Sequence, residues 1–173
     1  MSFLHNPRLL LFTLRSKNCV TAFDLGQDAK THTALGECDS LDEVYGGHRV
    51  EEFRGIYPIG VASIGNSSLF YVSFNNHKII RVNYKTNQTD EFIQPTTGKW
   101  KPFMLNYDSH AYGLLVMRSI GLFNISHPEA SPNRTSLDKG TSLMDISPEF
   151  TKRTGFVRIK GSIWVLVHSK LYR

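Results

Sequence analysis

Short hydrophobic runs of four to six residues alternate with polar turns along the whole chain. No window of about a dozen residues keeps the i, i+3, i+4, i+7 spacing of an amphipathic helix. The runs are rich in Val, Ile, Leu, Phe and Tyr, and Ser, Thr, Asn, Gly and Pro separate them, which predicts an all-β protein. The clearest predicted strands are 9–14, 20–23, 69–73, 79–82, 114–117 and 163–167.

A hydrophobic strand, a tight polar turn and a second strand recur four times. Alignment of Phe12, Tyr71, Leu115 and Trp164 gives spacings of 59, 44 and 49 residues. Propeller blades repeat at about 40–50 residues. We therefore predict a β-propeller, partial or small, with about four repeats of four-stranded antiparallel blades; a β-sandwich with similar hairpins is the alternative. The predicted repeats are 8–39, 56–94, 101–145 and 155–173, with a polar insertion at 40–55.

The second repeat carries the most complete motif. Its sequence runs PIGVA at 58–62, GN at 65–66, YVS at 71–73, and NHKI at 76–79 followed by RV. This succession resembles the NHL-repeat family of β-propellers, and the resemblance is clear in one blade, from Pro58 to Ile93. It implies a propeller that serves as a binding platform for protein or, in some members, RNA. Lactonase-like and LDL-receptor-type propellers share the strand rhythm.

The chain length changes the meaning of this resemblance. At about 45 residues per blade, 173 residues correspond to about 3.8 blades. Since NHL-type propellers generally have five or more blades, the resemblance favours a fragment that needs further blades or self-association to close. Hydrophobic residues make up 40% and charged residues 20% of the chain, which excludes a disordered composition.

The loops of such blades divide between two edges of the disc. One edge receives the turns after the first and third strands, and the Asn-x-Ser/Thr sequons fall there. These glycosylation candidates are Asn66, Asn87, Asn124 and Asn133. The other edge, which we call the loop face, receives the remaining turns and the connections between blades. Its candidate binding residues are Lys17, Tyr57, Asn76, His77, Lys78, Lys99, Trp100, Lys101 and Arg118.

Charge divides the loop face into two sectors. The net charge of +5 and the isoelectric point near 9.3 permit an anionic partner without requiring one. Basic residues interleaved with an aromatic side chain suit a phosphate backbone or an acidic peptide. We assign the acidic sector to the first connection, with Asp39, Asp42, Glu43, Glu51 and Glu52. We expect a protein partner, with RNA as the alternative.

Catalytic patterns are missing from the sequence. It has no nucleophile-elbow, phosphate-loop or metalloprotease motif, and its seven histidines include no pair at i, i+4. The predicted inner strands, near 61–63, 103–105 and 156–158, offer no carboxylate for a calcium site, because Asp108 and Asp145 fall at strand ends or on an outer strand. We therefore predict a non-enzymatic binding module without metal or cofactor. A metal-dependent lactonase or lyase, completed by further blades, remains the other alternative.

The cysteines and the longest apolar runs bear on where the protein is located. Cys19 and Cys38 fit no zinc spacing, and buried free thiols are favoured over a bridge between them. No run approaches the about 20 apolar residues of a membrane helix. The Leu9–Leu11 run, followed by Phe12, does not resemble a signal peptide. The sequons fit an extracellular location if the chain is part of a longer secreted protein.

Overall fold

The structure, a computed structural model, describes residues 1–5, 7–26, 30–44, 49–55, 57–75, 78–93, 102–109, 112–118, 121–129, 141–145, 154–159, 162–167 and 170–172. Within these ranges the regular structure is β-strand, apart from a short 3-10 turn at Arg15–Lys17. The predicted all-β class is confirmed.

The described strands form four antiparallel sheets. The first sheet contains β1 (Ser2–Leu4), β2 (Leu9–Leu14), β3 (Cys19–Asp24) and β4 (Thr31–Leu35). The second contains β5 (Pro58–Ser63), β6 (Leu69–Phe74), β7 (Ile79–Asn83) and β8 (Gln88–Ile93). The third contains β9 (Pro102–Asp108), β10 (Gly113–Arg118), β11 (Gly121–Ser126) and β12 (Thr141–Asp145). The fourth contains β13 (Thr154–Ile159), β14 (Ser162–Val167) and β15 (Lys170–Tyr172).

Each sheet is a meander, because every strand pairs with the next strand along the chain. The six clearest predicted strands all fall within these elements. Strand β1 was not predicted, since three residues are too few to show an alternating pattern. It pairs with β2 through Leu4 and Leu9. No strand of one sheet pairs with a strand of another, and the described strands form no closed ring.

Three apolar layers lie between consecutive sheets. The layer between the first and second sheets includes Leu11, Ala22, Phe53, Phe70 and Val72. The layer between the second and third includes Tyr71, Ile79, Phe92, Leu114 and Val116. The layer between the third and fourth includes Leu115, Met117, Leu122, Phe156 and Val165. A middle sheet is therefore covered on both faces, which explains why β6 and β10 read as continuous apolar runs rather than alternating ones.

The first strands of the sheets lie next to one another in chain order. Strand β5 contacts both β1 and β9, and β13 also contacts β9. The hydroxyl of Thr13 donates to the carbonyl of Ile59 at 3.2 Å, which joins the first sheet to the second near the loop face. The sheets thus form one stack whose order follows the sequence.

The first repeat is displaced by one residue from its predicted alignment. Tyr71 and Leu115 both point toward the next sheet in the stack, as the alignment expects. In the first sheet, however, Leu11 fills that layer and Phe12 does not. Successive side chains of a strand point to opposite faces, so a slip of one residue exchanges the two faces. The hydrophobic pattern could not reveal the slip, because Leu9 to Phe12 are all apolar.

The insertion at 40–55 is anchored between the first two sheets. Phe53 is 1% exposed, and its ring lies 5.4 Å from that of Phe74. Isolated bridges pair Val44 with Arg54, and Arg49 with Gln88 at the start of β8. The insertion therefore runs along the outer rim of the stack and reaches the edge opposite the loop face. The prediction that Glu51 and Glu52 lie on the loop face is wrong, because Asn87 in the β7–β8 turn donates to the Glu51 carboxylate and Arg49 bridges Gln88, both at the opposite edge.

A polar contact also joins the second and third sheets. The hydroxyl of Tyr71 donates to the carbonyl of Pro128 at 2.6 Å, and the Arg81 guanidinium donates to the carbonyl of Glu129 at 3.3 Å. Burial raises the pKa of Tyr71, with Glu129 adding to the rise and Arg81 opposing it. The phenol therefore stays protonated and keeps its donor role at neutral pH.

Candidate functional site

Three of the predicted binding residues have described side chains. Lys17 and Tyr57 are exposed at the loop face, whereas Lys78 is not free there. Arg118 ends β10, but its side chain lies outside the described part of the chain. The other predicted binding residues also lie outside the described residues: Asn76, His77, Lys99, Trp100 and Lys101.

Asn18 connects three segments at the loop face. Its backbone is left-handed, with φ of 57°, and its side chain is 7% exposed. The side-chain amide donates to the carbonyl of Ser40 at 2.8 Å, while its oxygen accepts from the amide of Tyr57 at 3.1 Å. A second link joins the amide of Asp39 to the carbonyl of Lys17 at 2.7 Å. The β2–β3 turn, the start of the insertion and the entry to β5 are therefore held together.

Two side chains project from this held backbone. The Arg15 guanidinium lies 5.8 Å from the centre of the Tyr57 ring, within the range of a cation–π contact. Tyr57 is 46% exposed and has a φ of 55°. We call Arg15, Lys17, Asn18 and Tyr57 the loop cluster. Its cation and its aromatic ring are the residue types that dominate binding energy at protein interfaces.

Replacing Asn18 with alanine is expected to destabilise the protein by about 2 kcal/mol. Two hydrogen bonds to a buried carboxamide are lost, and alanine tolerates a left-handed backbone poorly. Thermal or chemical denaturation measures the change. The matched control is Asn66→Ala in the exposed β5–β6 turn, where we expect a change within about 0.5 kcal/mol. Equal effects of the two substitutions would contradict the role assigned to Asn18.

A disulfide lies next to the loop cluster. Cys19 and Cys38 are joined, with a Cα–Cα distance of 5.0 Å. The expectation of two free thiols is therefore wrong. The signal was too weak in the sequence, since two cysteines show no framework pattern. In the folded chain the turn after β4 passes the start of β3, so the two residues meet.

Lys78 belongs to an ion pair on the second sheet. Its ammonium lies 3.0 Å from the Glu91 carboxylate, and the two side chains are only 19% and 17% exposed. Arg81 and Asp90 form a similar pair at 2.8 Å on the neighbouring positions. Lys78 therefore links β7 to β8, and we leave it out of the candidate binding surface.

The sequon asparagines occupy different environments. Asn66 is exposed in the β5–β6 turn. Asn87 has φ of 56° and donates to the Glu51 carboxylate at 2.8 Å. Asn124 lies inside β11 rather than in a turn, and its side-chain oxygen is buried without a hydrogen-bond partner among the described atoms. Asn133 lies outside the described residues.

A groove, which we call the rim groove, opens between the first sheet and the insertion. Its volume is about 600 Å³. One wall is the end of the first sheet, the other is the insertion with the β7–β8 turn. The lining residues are Thr33, Ala34, Leu35, Gly36, Glu37, Cys38, Val50, Glu51, Arg54, Tyr84 and Asn87. Sequence reasoning missed this groove, because it is formed by the folding of the insertion onto the rim.

Arg54 is fully engaged inside the rim groove. Its guanidinium lies 2.8 Å from the Glu37 carboxylate and also donates to the carbonyls of Glu51 and Phe53. The Tyr84 hydroxyl lies 2.7 Å from the His32 ring at the groove's margin. Burial, and then the charge of Asp24, raises the pKa of Tyr84. The carboxylates of Glu37 and Glu51 remain 61% and 59% exposed.

The described residues contain neither a cluster of metal ligands nor a membrane-spanning helix. No group of three or more His, Cys, Asp or Glu side chains is placed to hold a metal ion there. No helix in the same residues is long and apolar enough to span a membrane. Asp108 and Asp145 end β9 and β12, which agrees with the strand-end positions predicted for them.

Comparison with known proteins supports the fold alone. No family model and no curated protein sequence matches the chain. A crystal structure of a structural genomics protein of unknown function from Bacteroides thetaiotaomicron is similar, with a TM-score of 0.54 and 13% identity. The match covers 66% of this chain and 30% of that chain. The protein therefore belongs to an all-β class of stacked antiparallel sheets, and the NHL resemblance stays a prediction.

Proposed function

We propose that the four sheets are successive blades of an NHL-type β-propeller and that the chain is a non-enzymatic module that binds a protein partner. Support for the propeller comes from the order of the stack. Four meander sheets follow one another with an apolar layer between each pair and with their first strands adjacent. Sheets whose strands pair only within the sheet and that pack face to face are typical of blades. The need for further blades or self-association to close the ring is part of this proposal.

The observation that carries the binding role is the loop cluster. Arg15 and Tyr57 are presented on backbone that the buried Asn18 side chain holds in place. Side chains on preorganised loops lose little conformational entropy when they bind, so more of the contact energy appears as affinity. The loop cluster is therefore the proposed centre of the protein-binding surface.

A double variant of the loop cluster tests this role. Wild type and Arg15→Ala/Tyr57→Ala are immobilised, and captured proteins are compared by quantitative mass spectrometry. We expect a defined set of partners to fall about tenfold or more with the variant, because hot-spot residues each contribute about 2 kcal/mol.

The control for this test removes the same two kinds of side chain from the opposite edge. Lys85 and Tyr112 are both exposed, and Tyr112 also has a positive φ of 45°. Lys85→Ala/Tyr112→Ala is expected to keep the captured set unchanged. Equal capture by all three proteins would contradict the proposed site.

Salt dependence separates protein from RNA as the partner. Binding of a single-stranded RNA oligonucleotide that falls steeply as salt rises, and that requires Arg15 and Lys17, would assign the loop cluster to RNA instead. We expect no such binding, because the described loop cluster carries only two cations and one of them lies against Tyr57.

A further inference from the structure

The rim groove is bounded by a strand edge rather than by one face of a strand. Its wall is formed by the last three residues of β4, Thr33 to Leu35, and then by Gly36, Glu37 and Cys38 beyond the strand end. Side chains on one face of a strand would supply only alternate residues. Consecutive residues therefore indicate that the backbone itself faces the groove.

The edge that faces the groove carries unpaired backbone groups. Strand β4 is the last strand of the first sheet, and among the described residues it pairs only with β3. The amide of Asp24 donates to the carbonyl of Lys30 at 2.9 Å. Hydrogen bonds alternate along an antiparallel pair, so the amides of Thr31 and Thr33 point away from β3. These are the groups that an added strand would use.

The charge around the groove selects a cationic occupant. Residues 37–55 contain six Asp and Glu against two Arg, a net charge of −4 in a chain whose total is +5. Arg54 is held by Glu37 and by two carbonyls, and Arg49 lies 3.2 Å from Glu51. Glu37 and Glu51 are the partners of these arginines, so the net charge of −4 rests on Asp39, Asp42, Glu43 and Glu52, and this excess sets the field that an approaching segment meets.

We propose that the rim groove binds an extended, basic segment of a partner protein, which adds to β4 as a fifth strand of the first sheet. Backbone hydrogen bonds to the free edge supply affinity, as in other cases of strand addition. Alternate side chains of the segment point toward Val50 and toward the carboxylates of Glu37 and Glu51. The volume of about 600 Å³ lies within the range of ligand-binding clefts. The proposal rests on the binding function proposed above, but it places the contact on a different surface.

Selection from a random nonapeptide display library tests the proposal. We expect enriched peptides to carry net positive charge, to alternate apolar and polar residues, and to lack proline at their centre. Acidic or proline-rich enriched peptides would overturn it, and so would the absence of enrichment over the display scaffold.

Matched variants then locate the binding of an enriched peptide by fluorescence anisotropy. Thr33→Pro removes one outward amide without touching the β3 ladder and is expected to raise Kd about tenfold. Thr33→Val keeps the amide and the branched shape, so its Kd should stay within about twofold. Glu37→Gln/Glu51→Gln should weaken binding about fivefold and reduce its salt dependence. If Thr33→Pro does not fold, Thr31→Pro tests the same edge.

Two further outcomes decide against the proposal. Equal affinity of the Pro and Val variants would show that the strand edge is not used. A concentration-dependent dimer that Thr33→Pro abolishes would assign the edge to a second copy of the chain. The loop-cluster variant Arg15→Ala/Tyr57→Ala is expected to bind the enriched peptide normally. The loop-cluster variant therefore tests the proposed function, and the Thr33 and Glu37/Glu51 variants test the strand addition.

Discussion

Replacing Gly60 with valine is expected to lower the free energy of unfolding by about 3 kcal/mol, at the upper end of overpacking effects. A Cβ atom at Gly60 would lie 3.1 Å from the amide nitrogen of Leu105 and 3.3 Å from the Cα of Met104. Both atoms belong to the backbone of β9, which cannot yield as a flexible side chain can. The contact sits where the second sheet meets the third, so the substitution forces two sheets apart.

Denaturant unfolding of the Gly60 variants measures this effect. Gly60→Ala should fall between wild type and Gly60→Val, because its Cβ meets the same atoms without the two added methyl groups. Thr31→Val, on the exposed end of β4, introduces a valine in a strand without burying it and should change stability by less than about 0.5 kcal/mol. A Gly60→Val protein as stable as wild type would show that β5 and β9 are not in contact.

Removing the disulfide by Cys19→Ala/Cys38→Ala is expected to cost about 3 kcal/mol. The bridge spans 19 residues, and closing a loop of that length restricts the unfolded chain by about this amount. Cys19 is also 1% exposed, so the bridge is anchored in the core of the first sheet. The difference between the unfolding midpoints of wild type and variant measures the cost.

Reductant provides the control for the disulfide prediction. Wild type is expected to unfold more easily in the presence of a reducing agent, whereas the double variant should be unaffected by it. Two results together would show that the bridge does not form. The stability of wild type would be unchanged by reductant, and both cysteines of the unfolded protein would react with a thiol reagent in the absence of reductant. Because Cys38 also lines the rim groove, reduction should weaken binding of the enriched peptide in parallel.

Much of the strand content followed from local pattern. The motif at 58–93 predicted β5 to β8 within a residue or so at each end, since Val, Ile, Phe and Tyr runs bounded by Gly and Asn turns are a strong signal. The sequence predicted two of the four loop-cluster residues, Lys17 and Tyr57, from their positions in loops. The roles of Arg15 and Asn18 depend on tertiary contacts: Arg15 lies against the Tyr57 ring, and the Asn18 carboxamide bonds to Ser40 and Tyr57.

Other predictions failed where contacts join residues far apart in the chain. Lys78, a candidate binding residue, also forms an ion pair with Glu91 of β8, which the sequence pattern did not reveal. The expected free thiols of Cys19 and Cys38 form a bridge, because the turn after β4 passes the start of β3. Asn124, expected in a turn, lies within β11. In each case the decisive distance depends on strand register or on the path of a loop.

By itself, the sequence determined the all-β class, the positions of most strands and the fourfold rhythm, because these depend on residue type and on spacing within about 15 residues. Only the tertiary structure decided which face of β2 is buried, since Leu9 to Phe12 are apolar on both faces. It also decided that Phe53 of the acidic insertion is buried between the first two sheets, and that the insertion reaches the β7–β8 turn and forms a groove beside β4. Burial of one aromatic side chain depends on the sheets around it, and no local pattern contains that information.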